Sequence, residues 1–311
     1  MRTERDLMLL AGWLHLAEGL TQQAVAERLG MTRAKVNRLI ATCREEGLVQ
    51  VSINAAARLE FEAEQALVAR YGLTDAFLVP TPEDPATTSM AIGIAAGSYV
   101  SQRLAPGQTL ALGWGRTLDA SVRSVAPRQP SGNIVVTLFG GLARAGTINP
   151  YDIAARYARS LAAECHYLTV PILVDTPLTV AALNRIPQIA ETLRRAAGAH
   201  IALAGANGLS ADAIEITSGL LTEEDWQRLR RAGAVGNVYG CYIDMNGRAV
   251  DDPVNRRRIA LDLESVCRIP ERVIAAGGPG KIAILRAALA AGLCTTLVSD
   301  LQTAQVLLRN D

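Results

Sequence analysis

The sequence predicts two folded units of different class: an all-α amino-terminal head, and a larger α/β domain built on a mostly parallel sheet with helices on both faces. Three observations predict this. Between Leu7 and Ile40 apolar residues recur at steps of three and four, the period of amphipathic helices. From Asp75 onward the pattern becomes short continuous apolar runs, several ending in glycine, separated by helical stretches. Continuous rather than alternating hydrophobicity marks strands covered on both faces, as in a parallel sheet. The length of 311 residues suits two units at roughly 150 residues each. The expected boundaries are a head over residues 1–55, a connecting helix over 56–72 and the α/β domain over 73–311.

Composition narrows the class of function. Half of the residues are hydrophobic but only 4% are aromatic, which favours aliphatic α/β packing over RNA recognition by stacked aromatics. Five scattered cysteines, at 43, 165, 241, 267 and 294, form no C-x-x-C pair and have no histidine at ligand spacing, so reduced thiols and no metal are expected. The first residues lack a signal-peptide core and no apolar run reaches the roughly 18 residues of a membrane span, so a cytoplasmic location is expected. The formal net charge of +1 argues against a generic polyanion binder. That sum hides a local bias: Arg33, Lys35, Arg38 and Arg44 lie in a stretch, 31–44, that holds no acid. A concentrated basic segment is the footprint needed on DNA phosphates.

The head reads as three helices. Leu7, Leu10, Ala11, Leu14 and Ala17 give the first, from about Glu4 to Glu18, ended by Gly19. Thr21 caps the second, with Ala24, Val25, Ala26 and Leu29 inside, and Gly30 supplies a left-handed turn residue. Thr32 caps the third, where Val36, Leu39 and Ile40 share a buried face. Arg33, Ala34, Lys35, Asn37 and Arg38 stay outside. This is the arrangement of a helix-turn-helix, whose recognition helix enters the major groove amino-terminal end first. The candidate DNA-contacting residues are Thr21, Gln22, Thr32, Arg33, Lys35, Asn37 and Arg38. Arg suits a guanine edge and Asn an adenine edge, whereas Lys35 serves equally well on a phosphate. "REEGLVQVSI" is expected to close a winged-helix-like unit as a short strand.

The alanine-rich segment that follows predicts a helix from about Ala56 to Tyr71 with Leu59, Ala63, Ala66 and Leu67 along one stripe, lying on the next domain or pairing two chains. In the α/β domain the expected strands are "DAFLVP", "TLALGWG", "NIVVTLFGGL", "YLTVPILV", "HIALAGANG", "RVIAAGG" and "TTLVSD". Ligands of such sheets sit outside the carboxyl ends of the strands. Three turns there resemble anion cradles: Gly113 and Gly115 before Arg116 and Thr117, then "LFGGL" with Gly140 and Gly141, then "AAGGPGK" with Lys281. Neither GxGxxG nor the Walker pattern is present, so dinucleotide and nucleoside-triphosphate cofactors are disfavoured and none is expected. Catalytic chemistry has little support. His15 lies in the DNA-reading unit, His166 and His200 read as packed side chains, and Asp175, Asp244 and Asp300 are bases or hydroxyl ligands on one reading and helix caps on the other.

The "LTQQAVAERLGMTRAKVNRLIATCREEGLV" segment, with "LALGWGRTL", "GAVGNVYGCYID" and "RVIAAGGPGKIAILRAALAAGLCTTLVSD", resembles the SorC/DeoR-type sugar-responsive bacterial transcription regulators over nearly the whole chain. The resemblance implies an effector domain with the fold of ribose-5-phosphate isomerases and glucosamine-6-phosphate deaminases. It also implies homodimers or homotetramers on operator DNA, and a sugar, sugar phosphate or polyol as effector. Carried over by position, it places effector contacts at Gly115, Arg116, Thr117, Gly140, Gly141, Lys281 and, as a hydroxyl ligand, Asp175. Family members commonly carry Asp where this chain has Asn237. An amide still binds a hydroxyl but cannot act as a base, which opens the effector class to a sugar alcohol of the erythritol type. The expected function is regulation of a carbohydrate or polyol catabolic operon. The alternative is a sugar-phosphate isomerase or deaminase fused to a DNA-binding head.

Overall fold

The computed structural model describes residues 3–46, 48, 55–142, 148–210 and 213–309. The chain forms two compact units, residues 1–57 and 58–311. In the first, α1 (Glu4–Leu16), α2 (Gln22–Leu29) and α3 (Arg33–Glu45) pack around Met8, Ala11, Leu14, Val25, Ala26, Val36, Leu39, Ile40 and Cys43. The Thr3 side chain and Asp6 form a reciprocal capping box on α1. Thr21 Oγ1 accepts the Ala24 amide at 3.2 Å, and Thr32 Oγ1 accepts the Lys35 amide at 3.3 Å. Gly30 ends α2 at φ 65°, the left-handed conformation that glycine adopts without a Cβ penalty. The expected wing strand falls largely outside the described residues.

In the second unit, α4 (Ala55–Tyr71) leads into β1 (Asp75–Val79). The packed stripe of α4 differs from the expected one. Ala63 and Leu67 are buried, but Leu59 and Ala66 are exposed, and Glu64 and Tyr71 take part instead. Glu64 Oε1 accepts the Leu78 amide of β1 at 2.8 Å, and the Tyr71 hydroxyl donates to the Leu307 carbonyl at 2.9 Å. A helix that satisfies an outward strand amide covers a sheet edge, so tertiary hydrogen bonding overrides simple apolar spacing here.

The chain continues through α5 (Thr88–Arg103), β2 (Thr109–Leu112), α6 (Arg116–Ser121), β3 (Ile134–Thr137), α7 (Pro150–Leu161) and β4 (Glu164–His166). Then come α8 (Pro177–Leu183), α9 (Pro187–Ala197), β5 (Ile201–Ala204), β6 (Ala206–Gly208), α10 (Ile214–Thr217) and α11 (Glu223–Arg231). The last elements are β7 (Gly236–Val238), β8 (Cys241–Ile243), α12 (Pro253–Arg257), α13 (Leu263–Cys267), β9 (Glu271–Ala275), α14 (Ile282–Ala290), β10 (Thr296–Asp300) and α15 (Leu301–Leu308).

Seven strands form a parallel sheet in the order β1-β10-β9-β5-β2-β3-β4. All residues of β5 and β10 are buried, and successive side chains point to opposite faces, so both faces of the sheet are covered. A separate antiparallel sheet, β6-β7-β8, was not foreseen because its strands have three residues each and two of them, β6 and β7, contain Gly and Asn. "YLTVPILV" is a further correction. The sheet strand lies just before it, at Glu164–His166, while Gly141–Pro171 and Leu173–Arg258 are isolated bridges. Leu168 and Val170 of that run are buried against Ile189 and Ile259, and Pro171 has no amide for a ladder, so apolar content served packing rather than strand pairing. No helix among the described residues is long and apolar enough to cross a membrane.

Candidate functional site

The outer face of α3 is set by its inner one. Val36, Leu39 and Ile40 are at most 6% exposed, which fixes the helix and leaves Arg33, Lys35, Asn37 and Arg38 exposed. Gln22 Nε2 donates to Asn37 Oδ1 at 3.3 Å, tying the first residue of α2 to the exposed face of α3. Thr21 and Thr32, also exposed, sit at the starts of these two helices, where unpaired amides favour a phosphate oxygen. His15 Nδ1 lies 2.8 Å from the Leu20 carbonyl, a packing role inside the head.

In the second unit, three neighbouring strands, β9, β5 and β2, end side by side at their carboxyl termini. The turns that follow them enclose a cleft of about 240 Å³ lined by Gly115, Arg116 and Thr117 after β2, Gly205, Asn207 and Gly208 after β5, and Gly277, Gly278, Gly280 and Lys281 after β9. Ligand position at the carboxyl edge of a parallel sheet follows from this topology. Gly115 has φ 124°, accessible to glycine, which lets the chain turn directly into α6. Gly208 is required by contact: a Cβ there would lie 2.0 Å from the Gly280 carbonyl oxygen. The two turns therefore touch backbone to backbone and fix the cleft width.

Arg116 and Lys281 bring two positive charges to one cleft. Burial, then the Arg116 charge, hold the Lys281 ammonium below the usual lysine range, while the Glu215 and Asp300 charges oppose this. Like charges held together favour an anion between them. Below the cleft lie two small cavities of about 20 and 10 Å³, both lined by Trp114, Phe139, Glu215, Asn237 and Gly240. Trp114 and Asn207 border both the cleft and the smaller of these cavities. Asn237 faces Asn207 in the β6–β7 register. Glu215 was missed by sequence reading. It is 5% exposed, its Oε1 accepts from Asn207 Nδ2 at 3.0 Å, and its Oε2 is buried without a hydrogen-bond partner among the described residues. Burial raises its pKa above the ordinary carboxylate value against the pull of its own backbone amide, the Asn207 hydrogen bond, Lys281 and Arg116. The one local signal was an acid between Ile214 and Ile216 in an otherwise apolar stretch.

The structure does not bring every expected residue to this place. Gly140 and Gly141 lie outside the cleft: their amides donate to the Ile259 and Val170 carbonyls at 3.2 and 2.8 Å. A Cβ on Gly140 would strike the Val170 carbonyl oxygen at 2.2 Å, and one on Gly141 the Tyr151 ring at 2.4 Å, so these glycines serve close packing. Asp175 is exposed at the start of α8, with Oδ1 accepting the Thr179 hydroxyl and Thr176 amide at 2.6 and 2.9 Å, and it is not part of the cleft. Asp300 is 1% exposed and caps α15 through Thr303, while Asp244 accepts the Asn246 and Arg248 amides of a turn. His200 Nδ1 accepts the Thr109 amide at 3.1 Å. No group of three or more His, Cys, Asp or Glu among the described residues is arranged to hold a metal.

A basic helix-turn-helix face and a carboxyl-edge cleft with two cations define a DNA-binding regulator with a small-molecule domain. Comparison with known proteins agrees. A winged helix-turn-helix DNA-binding model matches residues 14–50, and the sugar-binding domain model matches residues 56–309. The erythritol catabolism regulatory protein EryD of Brucella abortus (strain 2308) is 30% identical over 307 residues, covering 97% of this chain and 96% of its own. The deoxyribonucleoside regulator of Bacillus subtilis (strain 168) is 26% identical over 314 residues, covering 99% of both chains. The crystal structure of the full-length sorbitol operon regulator SorC from Klebsiella pneumoniae shares the fold, with a TM-score of 0.75 at 23% identity, covering 98% of this chain and 99% of that one. The chain belongs to the SorC/DeoR-type sugar-responsive bacterial transcriptional regulators.

Proposed function

We propose that the chain regulates a carbohydrate or polyol catabolic operon, and that its operator affinity changes when a phosphorylated sugar or polyol occupies the Arg116–Lys281 cleft. The observation that carries this reading is the convergence of Arg116 and Lys281 on a glycine-lined cleft at the carboxyl ends of β2, β5 and β9. A phosphate supplies the charge the two cations favour, and glycine backbone admits it closely. The relatives named for erythritol catabolism and for deoxyribonucleosides fit effectors of this size and polarity. Operator contacts are assigned to Thr21, Gln22, Thr32, Arg33, Lys35, Asn37 and Arg38. Two such heads reading two half-sites require at least a homodimer, with a homotetramer as the larger assembly, acting in the cytoplasm.

The regulator is not an enzyme on this reading and needs no cofactor. Asn237 carries no proton-accepting charge and Asp175 stands outside the cleft, so Glu215 is the acid an isomerase reading would have to use. The energetic demand on a regulator is modest. A ligand favouring one DNA-binding arrangement by about 1–3 kcal/mol shifts operator affinity roughly five- to 150-fold. A mobility-shift assay on DNA upstream of the gene, with and without sugar and polyol phosphates, tests the reading. Binding that responds to one of them is expected. Absence of binding under all conditions, or turnover of a sugar phosphate lost in Glu215→Gln, contradicts it.

A further inference from the structure

We infer that Glu215 and Asn237 form a hydroxyl-reading subsite beneath the cleft, so that the effector is bifunctional, with an anion at Arg116 and Lys281 and a hydroxyl buried against Glu215. The inference rests on the assignment of the cleft to a phosphorylated ligand. Its own basis is separate. Glu215 is 5% exposed, yet its Oε2 accepts no hydrogen bond among the described residues, while its Oε1 is held by Asn207 at 3.0 Å. A buried acceptor left open costs stability, and proteins keep such groups where a ligand completes them.

Size and charge identify the group that completes it. The larger of the two cavities that Glu215 and Asn237 both line holds about 20 Å³, room for one water-sized group and too little for a phosphate. A carboxyl group offers an anion no attraction, and its open oxygen pairs with a hydroxyl. An alcohol both donates and accepts, and around one cavity Glu215 presents its open oxygen and Asn237 an amide shared with the Tyr242 hydroxyl. Asn207 links the levels: it borders the cleft and also grips Glu215. The subsite therefore senses whether the molecule behind the phosphate carries a hydroxyl, separating a sugar or polyol phosphate from phosphate alone.

Isothermal titration and thermal-shift measurements on the full chain test this, using inorganic phosphate and a panel of four- to six-carbon sugar and polyol phosphates. Glu215→Gln is expected to weaken the tightest-binding panel member about tenfold and to leave inorganic phosphate unchanged. Its ligand-free melting temperature is expected to equal or exceed that of the unaltered chain, because the variant exchanges a buried ionisable carboxyl for a neutral amide; a merely structural carboxyl would lower it. Asn237→Ala, which leaves Glu215 in place, is expected to show the same selective loss and serves if the first variant does not fold. A panel member that binds, loses binding in Lys281→Ala and is unaffected by Glu215→Gln and Asn237→Ala overturns the subsite alone. Failure of every probe, inorganic phosphate included, to bind the unaltered chain overturns the cleft assignment with it.

Discussion

Lys281 is the residue on which the effector reading turns. Burial and the Arg116 charge hold its ammonium below the usual lysine range, and a bound phosphate would restore it by supplying the opposite charge. The pKa is then higher in the bound state than in the free one. Binding takes up protons, and affinity is full below the free-state pKa and is lost as pH rises from there through the bound-state pKa. Titrations at alkaline pH, in buffers of different ionisation heat, are expected to show net proton uptake. Proton-neutral binding would contradict the assignment. On α3 the expectation concerns salt. Lys35 is exposed at the start of the recognition helix, so Lys35→Ala should weaken operator binding on all sequences and reduce the slope of log affinity against log salt by about 1. An unchanged slope would place Lys35 off the phosphates. Arg116 and Lys281 were legible because each directly follows a glycine in the turn after an apolar run, and Thr117 because it follows Arg116 at the same helix start. Glu215 was not, because its place depends on a four-residue helix brought under the ends of distant strands.

Most elements could be read from pattern alone, and the misreadings have common causes. The three helices of the head carry caps and one buried stripe each, so local and tertiary preferences agree at Thr21, Gly30, Thr32 and Val36. The run "YLTVPILV" reads as a strand because it is apolar and β-branched, yet proline and a neighbouring helix give it another use. Gly140 and Gly141 show the same ambiguity from the other side. A glycine pair after a strand looks alike whether it admits a ligand or a neighbouring chain, and here it admits Val170, Pro171 and Tyr151. Gly208 is the case where close packing shapes the cleft itself. Gly208→Ala would set a methyl 2.0 Å from the Gly280 carbonyl, displacing the turn that carries Lys281. The expected outcome is loss of the ligand-induced thermal shift with operator binding in the absence of ligand retained. A full thermal shift in this variant would show that the turn adapts freely.

At the scale of the molecule, the seven-stranded parallel order explains why one place gathers the chemistry. The turns after β9, β5 and β2 are separated in sequence but adjacent in the sheet, and spacing along the chain cannot show that adjacency. An effector in this unit can change operator affinity only by favouring one DNA-binding arrangement over another. The measurement that tests this most directly is fluorescence anisotropy of operator DNA, titrated with the full chain at fixed salt with and without a saturating sugar or polyol phosphate from the titration panel. The account predicts a roughly five- to 150-fold change in operator affinity that is absent in Lys281→Ala, whose affinity without ligand stays unchanged. An identical operator affinity with and without a phosphorylated ligand shown to bind the chain would contradict it.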